Sequence, residues 1–170
     1  MGAIEIEKLG GTGIHDVRRF ALAADDHLPL KIFIRRQARA SATDLLTQTY
    51  VAKRLADGRV VGFVSLMCAE VKFDAAFAGN PYQLQPALRI ARLAVEDGCR
   101  GERIGQALLQ WATAVALVEI LPRVGCRFII VDAKRDSVAF YEHHGFRQVD
   151  TDDNRRRREP IMFLDLKPLA

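Results

Sequence analysis

The chain has 170 residues, and at about 100–200 residues per domain this length predicts a single domain, residues 1–170, around one core. Hydrophobic residues make up 49% and charged residues 27%, a composition typical of globular proteins that excludes a disordered chain or a fibrous repeat. The formal net charge of +4 is compatible with an anionic ligand, with RNA or with no specific partner.

The first half of the chain predicts two helices followed by a β-hairpin. Apolar residues near helical spacing predict helices over residues 14–27 and Leu30–Ala42. Strand-like runs follow at Thr49–Leu55 and Val60–Val71. The segment between them, Ala56–Arg59, contains an Asp-Gly pair, and glycine accepts the positive φ that tight hairpin turns need.

The second half alternates strands with helices. It predicts in order a loop over residues 73–87, a strand at Leu88–Val95, a helix at Ile104–Val118, a strand at Arg127–Val131, a helix at Asp136–His144, a loop at Asp150–Glu159 and a strand at Ile161–Leu166. Asp136 is the predicted cap of its helix and Gly145 its left-handed end. Together the elements indicate an α/β fold with a mixed sheet.

The cysteines and the hydropathy pattern indicate a cytoplasmic protein. Cys68, Cys99 and Cys126 are scattered and odd in number, which favours a reducing compartment over a disulfide framework. The chain has no C-x-x-C or H-x-x-x-H spacing, so we expect no metal site. The longest uncharged stretch, Ile104–Val118, is shorter than the ~20 residues of a membrane span, and we expect no membrane partner.

The turn after strand Leu88–Val95 indicates an anion site. The segment Arg100–Gly105 opens a helix, and six consecutive backbone N–H groups there form a cradle for a pyrophosphate. Gly101 and Gly105 leave room for the ligand, and Arg100 adds a charge-assisted hydrogen bond. By itself this pattern also fits a tight turn into an ordinary helix.

A second motif stands roughly 40 residues later, in Ser137–Phe146. The pair resembles the GCN5-related N-acetyltransferase family, whose signature is a strand, then Arg/Gln-x-x-Gly-x-Gly/Ala, and downstream Phe-Tyr-x-x-x-Gly-Phe. Here the first motif is Arg100–Gly105 and the second is Phe140–Phe146. The resemblance covers Leu88–Phe146, with the intervening strand in the right place.

The resemblance implies the family's acyl-CoA N-acyltransferase fold and direct acetyl transfer from acetyl-CoA to an amine. The coenzyme would lie where strand Leu88–Val95 splays from strand Arg127–Val131, and Tyr141 would protonate the departing thiolate as general acid. The alternative is that Tyr141 only packs with Phe140 against the sheet. The implied coenzyme-binding residues are Leu93, Ala94, Val95, Arg100, Gly101, Glu102, Arg103, Ile104, Gly105, Gln106, Lys134, Ser137 and Phe140.

Three positions depart from the family pattern. Arg103 replaces the middle glycine of the first motif, so we expect its backbone not to be left-handed and its side chain to point outward. Lys134 replaces a frequent Asn and Ser137 a frequent Ala, which removes a common coenzyme contact. Lys134 could supply a substitute charge.

No general base is evident. Strand Leu88–Val95 carries no carboxylate, and Glu96 and Asp97 lie next to the phosphate turn. Neighbouring residues of a helix point in different directions, so His143 and His144 are interpreted as capping or surface residues. We therefore expect an acceptor amine that is substantially neutral already, or one deprotonated through water. An α-amino group, with a pKa of about 7.7–8.0, fits better than a lysine.

A narrower resemblance, carried by Arg92–Val95 and Tyr141–Phe146, is to the acetyltransferase toxins of toxin–antitoxin pairs. It implies an aminoacyl-tRNA acceptor and a ribbon-helix-helix antitoxin as partner, and leaves open a homodimer. The arginines that would form the tRNA surface are Arg35, Arg36, Arg39, Arg89, Arg92 and Arg155–Arg158. The alternatives are a small-molecule or peptide amine acetyltransferase, and a catalytically inactive acetyl-CoA-binding protein.

Overall fold

A computed structural model describes residues 2–11, 13, 15–74 and 81–170. The strands are β1 Ile4–Lys8, β2 Gln48–Arg54, β3 Val60–Lys72, β4 Leu84–Val95, β5 Phe128–Asp132, β6 Arg147–Gln148 and β7 Ile161–Asp165. The helices are α1 Leu28–Ile32, α2 Ala38–Thr43, α3 Ile104–Val115, α4 Val138–His143 and α5 Asp152–Arg156. The seven strands form one sheet in the order β1-β2-β3-β4-β5-β7-β6, which confirms the predicted mixed α/β class.

The chain divides into two compact units, each made of two stretches of sequence. The first unit comprises Met1–Met67 and Ala91–Ala112, and the second comprises Cys68–Ile90 and Thr113–Ala170. In the part of the chain that the structure describes, no helix has both the length and the apolar character that a bilayer crossing requires.

The first unit is built on the hairpin of β2 and β3. These strands pair antiparallel from Gln48↔Leu66 onwards, and β1 pairs antiparallel with β2. Gly58 has a φ of +69°, as the Asp-Gly turn predicts. The core of the first unit is an apolar cluster in which Phe63 packs edge-on against Phe20 and stacks with Phe33.

Gly62 sets the distance between β3 and helix α3. A Cβ atom added there would lie 2.9 Å from Ile104 Cγ2, 3.0 Å from Leu108 Cδ1 and 3.2 Å from the Ala94 carbonyl oxygen. The first of these contacts is shorter than real Cβ atoms show and the other two are unusually tight, so a side chain at position 62 would require α3 or its side chains to shift. The start of α3 is therefore placed by the residue type at position 62.

The second unit contains the only parallel ladder among the pairings described. β4 pairs with β5 from Ala87↔Phe128 to Ile90↔Val131, and β7 pairs antiparallel with both β5 and β6. The rings of Phe73, Phe128 and Phe163 pack against one another with centroids 5.2–5.6 Å apart. These rings form the centre of its core cluster.

Several predicted elements are confirmed with shifted ends. The hairpin strands, the helix beginning at Ile104, the strand at β5 and the last strand are all present. The helix predicted over Leu30–Ala42 exists as α1, a π-helical turn at Phe33–Gln37, and α2. Gly145 has a φ of +86°, which confirms the left-handed end of α4.

The helix predicted over residues 14–27 is wrong for the described residues 15–24, which are irregular; Ile14 lies outside the described residues. Side chains from distant parts of the sequence make hydrogen bonds with main-chain N–H and C=O groups that would bond to one another in a helix. Arg35 donates two hydrogen bonds to the Phe20 carbonyl, and the carboxylate of Glu96 accepts the Ala21 N–H. These long-range contacts outweigh the local helical periodicity.

The loop predicted over Asp150–Glu159 is also wrong, because it contains α5. The Thr151 hydroxyl caps this helix by accepting the Asn154 N–H at 3.1 Å. Asp136 is not the cap of α4; it accepts a hydrogen bond from Ser137, the residue that precedes the helix. Of the loop predicted over 73–87, residues 75–80 lie outside the described residues, and β4 begins within it, at Leu84.

Strands β1 and β6 were not predicted. β1 is a short edge strand, and β6 has only two residues, so neither carries a long alternating pattern.

Candidate active site

The turn between β4 and α3 has two left-handed residues. Gly101 has a φ of +84° and Arg103 a φ of +60°, so the expectation that the backbone of Arg103 is not left-handed is wrong. Left-handed backbone costs a non-glycine residue about 1–2 kcal/mol, so the surrounding structure must impose it. Arg103 thus adopts a backbone conformation that glycine favours.

The turn leaves four consecutive N–H groups without a described partner, rather than the six expected. The N–H groups of Arg100 and Glu102 donate to the carbonyls of Asp97 and Cys99 at 3.4 and 3.3 Å. Those of residues 103–106 donate to no described residue. They lie at the positive end of the 12-residue helix α3, and such groups bind anions.

Two carboxylates hold the beginning of the turn. Glu96, only 3% exposed, accepts two hydrogen bonds from Arg59 at 2.7 and 2.8 Å and one from the Ala21 N–H at 3.1 Å. Asp97 accepts the Ala23 N–H at 2.6 Å. Both carboxylates are thus engaged in structural contacts, which agrees with their exclusion as general base.

Arg54 holds the middle of the turn from the end of β2. Its guanidinium lies 2.8 Å from the Cys99 sulfur, 3.4 Å from Asp57 and 3.8 Å from Glu102. Burial raises the pKa of the Cys99 thiol, while the nearby Arg54 charge opposes that shift. Neither Arg54 nor Arg59 was predicted as a site residue, since both flank the hairpin turn and belong to no motif.

The two arginines of the turn, Arg100 and Arg103, differ in their partners. The Arg100 guanidinium is paired with Asp97 at 2.8 Å and lies 3.3 Å from His27 Nδ1. Arg103 is exposed and has no carboxylate partner among the described residues. Arg103 is therefore a second candidate cation at this turn, and the anion contact expected of Arg100 stays a prediction.

A cavity of about 460 Å³ adjoins the turn within the first unit. Its walls are Gly2, Ala3, Ile4, Glu102, Arg103, Ile104, Gln106, Ala107 and Gln110. Of the predicted coenzyme-binding residues, four line this cavity: Glu102, Arg103, Ile104 and Gln106.

Strand β4 continues beyond its parallel ladder. The last described pair with β5 is Ile90↔Val131, and β4 runs five residues further, to Val95. Leu93, Ala94 and Val95, the residues expected to bind pantetheine through their main chain, lie in this extension.

Tyr141 lies in α4 of the second unit. Its ring is 6% exposed and packs with Phe140 and Phe146 at centroid distances of 5.2 and 5.5 Å. Its hydroxyl bonds to no described residue. Burial raises the pKa of Tyr141, and the phenol is neutral at physiological pH.

The other predicted residues of this unit surround α4. Lys134 precedes the 3-10 turn Arg135–Ser137, which leads into the helix, and the Phe140 ring lies 4.6 Å from that of His144. His144 Nδ1 lies 2.7 Å from the Phe140 carbonyl oxygen, which supports a capping role for this histidine.

Most arginines predicted for a tRNA surface are engaged in contacts within the protein. Arg39 donates to the His15 carbonyl at 3.0 Å, and Arg89 and Arg157 both pair with Asp132, at 3.1 and 2.6 Å. Arg155 pairs with Asp150 and Asp152. Those left without an ion pair or hydrogen bond from the guanidinium to a described residue are Arg36, Arg92 and Arg158.

The first unit offers free N–H groups at the start of α3 that can bind an anion, and the second unit holds a largely buried phenol that can donate a proton. Comparison with known proteins gives a family for this chemistry: a family model described as acetyltransferase (GNAT) domain matches residues 46–148. Among curated proteins, none matches the chain.

Solved structures with the same fold cover nearly the whole chain. One described as a bacterial toxin is 14% identical, with a TM-score of 0.85 over 99% of this chain and 94% of that one. AtaT complexed with acetyl-methionyl-tRNAfMet is 21% identical, with a TM-score of 0.83 over 98% and 97%. A mutant AtaT toxin bound to acetyl-CoA and the C-terminus of the antitoxin AtaR is 20% identical, with a TM-score of 0.77 over 98% and 96%.

Proposed function

The chain belongs to the GNAT acetyltransferase family, whose acetyl donor is acetyl-CoA, and from this premise we propose that it acetylates the α-amino group of an aminoacyl-tRNA with Tyr141 as general acid. The observation that carries the proposal is the Tyr141 side chain. Its ring is fixed by two aromatic neighbours, its hydroxyl bonds to no described residue, and burial keeps the phenol neutral.

The proposed reaction is a direct transfer. The neutral amine attacks the thioester carbon, a C–N bond forms and the C–S bond breaks. The departing sulfur takes the proton of the Tyr141 hydroxyl, and the proton lost by the amine passes through water and restores the phenol. The phenol, whose pKa is raised, is a weaker acid than the thiol that forms, whose pKa is about 8.5. The hydroxyl therefore first donates a hydrogen bond to the sulfur, and the proton transfer follows.

The turn would hold the pyrophosphate of the coenzyme. Its four free N–H groups, the positive end of α3 and the exposed Arg103 supply donors and charge without any metal ion. The main chain of Leu93, Ala94 and Val95 would pair with the pantetheine amides in the manner of an added strand.

Three considerations support a charged tRNA as acceptor. Both carboxylates beside the turn are engaged, so an amine that is easily neutral suits the site. AtaT, which shares the fold over 98% of this chain, has been solved with acetyl-methionyl-tRNAfMet. The exposed, uncommitted guanidinium groups of Arg36 and Arg158 are suited to phosphate contacts.

An antitoxin partner forms part of the proposal. AtaT has been solved with the C-terminus of the antitoxin AtaR, and KacTA with DNA. We propose that a ribbon-helix-helix antitoxin neutralises this chain. Co-expression with the product of a neighbouring reading frame, followed by affinity purification, tests the partner directly.

The acceptor is tested with purified protein and radiolabelled acetyl-CoA. We expect acetylation of charged tRNA, measured as label in nuclease-released aminoacyl-adenosine, and little transfer to spermidine, free amino acids or peptides. Label on a small amine with none on charged tRNA overturns the acceptor assignment. If acetyl-CoA binds but no coenzyme A thiol is released in the presence of any acceptor, the assignment as an enzyme is overturned.

A further inference from the structure

Arg92 is a half-buried cation without an anion. It lies in β4, and its guanidinium carbon is 3.9 Å from the centroid of the Phe33 ring. Phe33 is 2% exposed and belongs to the core cluster of the first unit. Burial lowers the pKa of Arg92, and no carboxylate or carbonyl of a described residue accepts from it.

Three other arginines of the predicted tRNA surface make contacts within the protein, although the Nε of Arg89 is buried without a partner among the described residues. Arg35 donates two hydrogen bonds to the Phe20 carbonyl, and Arg39 donates one to the His15 carbonyl. Arg89, three residues earlier in β4, is paired with Asp132 at 3.1 Å. Arg92 differs from these because its guanidinium stacks on Phe33 and none of its five N–H donors bonds to a residue that the structure describes.

An unpaired and partly desolvated charge is costly, and a ligand oxyanion would offset that cost. The planar guanidinium fork matches a phosphate or a carboxylate with two parallel hydrogen bonds. Stacking on Phe33 fixes the plane of the fork, so little side-chain freedom is lost on binding. The chemistry of the site therefore selects an anionic group.

The position of Arg92 points to the acceptor rather than to the coenzyme. Residues two apart in a strand lie on the same face, so Arg92 shares a face with Ala94, which packs in the same cluster as Phe33. At about 3.3 Å per residue, the two Cα atoms are about 7 Å apart. Arg92 thus lies close to the strand segment expected beside pantetheine. In chain order it precedes that segment, whereas the turn expected to bind the pyrophosphate follows it.

We propose that Arg92 binds a backbone phosphate near the aminoacylated end of the acceptor and makes the enzyme select amines carried on nucleic acid. The inference rests on the proposed acceptor and adds the residue that recognises it. The same fixed charge repels polycationic acceptors, so it also discriminates against polyamines.

The test compares two acceptors that carry the same amine. Charged tRNA has phosphates, whereas the methyl ester of the same amino acid has none. We expect Arg92→Gln to lower kcat/KM on charged tRNA by about 10- to 150-fold, the range for a lost hydrogen bond to a charged group. On the methyl ester, kcat/KM and the Kd for acetyl-CoA should stay unchanged, and Arg92→Lys should recover part of the tRNA activity.

The matched control is Arg147→Gln. The Arg147 guanidinium carbon also lies over a phenylalanine ring, 5.1 Å from the Phe163 centroid, in the second unit. We expect this variant to behave like the wild type on both acceptors. The slope of log kcat/KM against log salt on charged tRNA should become shallower by about one unit for Arg92→Gln only.

Two results overturn the inference. Equal losses of kcat/KM on tRNA and on the methyl ester would mean that Arg92 supports the strand rather than the acceptor. Equal salt slopes for Arg92→Gln and the wild type would exclude a phosphate contact. Inactivity of the wild-type protein on charged tRNA overturns the proposed function itself, and is recognised before any Arg92 variant is made.

Discussion

The turn between β4 and α3, Arg100–Gly105, and helix α4 hold their candidate functional groups in opposite ways. The turn presents main-chain N–H groups, and charged side chains from distant parts of the sequence hold it: Arg59 on Glu96 and Arg54 on Cys99. Helix α4 presents one side chain, and local aromatic rings hold it, with Phe140 and Phe146 on either side of Tyr141 in the sequence.

The difference teaches where each function is vulnerable. A group presented by the backbone can be lost only by moving the backbone, so substitutions in its supports should weaken coenzyme binding together with stability. A group presented by a side chain can be removed alone. Variants that separate binding, stability and rate therefore sharpen the comparison.

The largest effect is expected from Tyr141→Phe. It removes the proton donor and keeps the packed ring, so kcat should fall by about 10²- to 10⁴-fold while the Kd for acetyl-CoA stays within about twofold. Steady-state kinetics and isothermal titration measure the two quantities. Phe140→Leu, which alters the packing and keeps the hydroxyl, is the control and should lose much less rate. A kcat for Tyr141→Phe equal to that of the wild type would leave the tyrosine a packing residue.

Glu96→Gln should have the next largest effect, on the turn. Glutamine keeps one acceptor oxygen but loses the second acceptor and the charge that pairs with Arg59, and we expect a loss of about 2 kcal/mol in the free energy of unfolding. The affinity for acetyl-CoA should fall as well, because the turn begins at this residue. Urea titration of Glu96→Gln, Arg59→Gln and the double variant forms a thermodynamic cycle. Additive losses in that cycle would show that the pair is not coupled.

Gly62→Ala tests the packing of α3 on β3. The new methyl group would meet Ile104 and Leu108 at 3.0 Å or less, and overpacking of this kind costs about 1–3 kcal/mol. We expect a lower Tm and weaker acetyl-CoA binding. Gly125→Ala is the matched control, since a Cβ atom there meets nothing within 4 Å. Similar Tm values for the two variants would contradict the close-packing explanation.

Arg103→Gly should move stability and binding in opposite directions. Glycine relieves the left-handed strain, so the free energy of unfolding should rise by up to about 1 kcal/mol. Removal of the exposed charge should raise the Kd for acetyl-CoA several-fold. Arg103→Ala keeps the strain and removes the charge, so it should weaken binding without stabilising the fold. Unchanged coenzyme affinity in both variants would show that the cation does not contact the anion.

The smallest effect is expected at alkaline pH. Burial raises the pKa of Tyr141, so the general acid stays protonated to higher pH than a free phenol would, and its alkaline limb shifts upward. The rate should rise as the acceptor amine loses its proton and then stay level from about pH 8 to about pH 10. A pH profile of kcat with a hydrolytically stable amine acceptor measures this. A fall of the rate through pH 9 would contradict the raised pKa.

The motifs predicted what is local in the site. The start of α3 at Ile104 and the left-handed Gly145 after α4 were predicted because a helix start and a helix end are each encoded within a few consecutive residues. The left-handed Arg103 was missed, since intrinsic preference opposes that backbone and only the surrounding contacts impose it.

The supports of the turn could not be predicted for the same reason. Arg59 meets Glu96 across 37 residues of sequence, and Ala21 meets it across 75. The sequence of residues 15–24 does not indicate that their main chain bonds to distant carboxylates and arginines. Their apolar spacing predicts a helix instead. The hairpin was predictable because consecutive strands pair locally, whereas the place of β7 between β5 and β6 was not.

The distribution of the three cysteines has a practical consequence. Cys68, in β3, is exposed, whereas Cys99 and Cys126 are buried and burial raises the pKa of both thiols. Because maleimides react with accessible thiolates, a single fluorophore can be attached to Cys68 in the native protein with no engineered substitution. The label would report on that strand while the thiol beneath the phosphate turn stays unmodified.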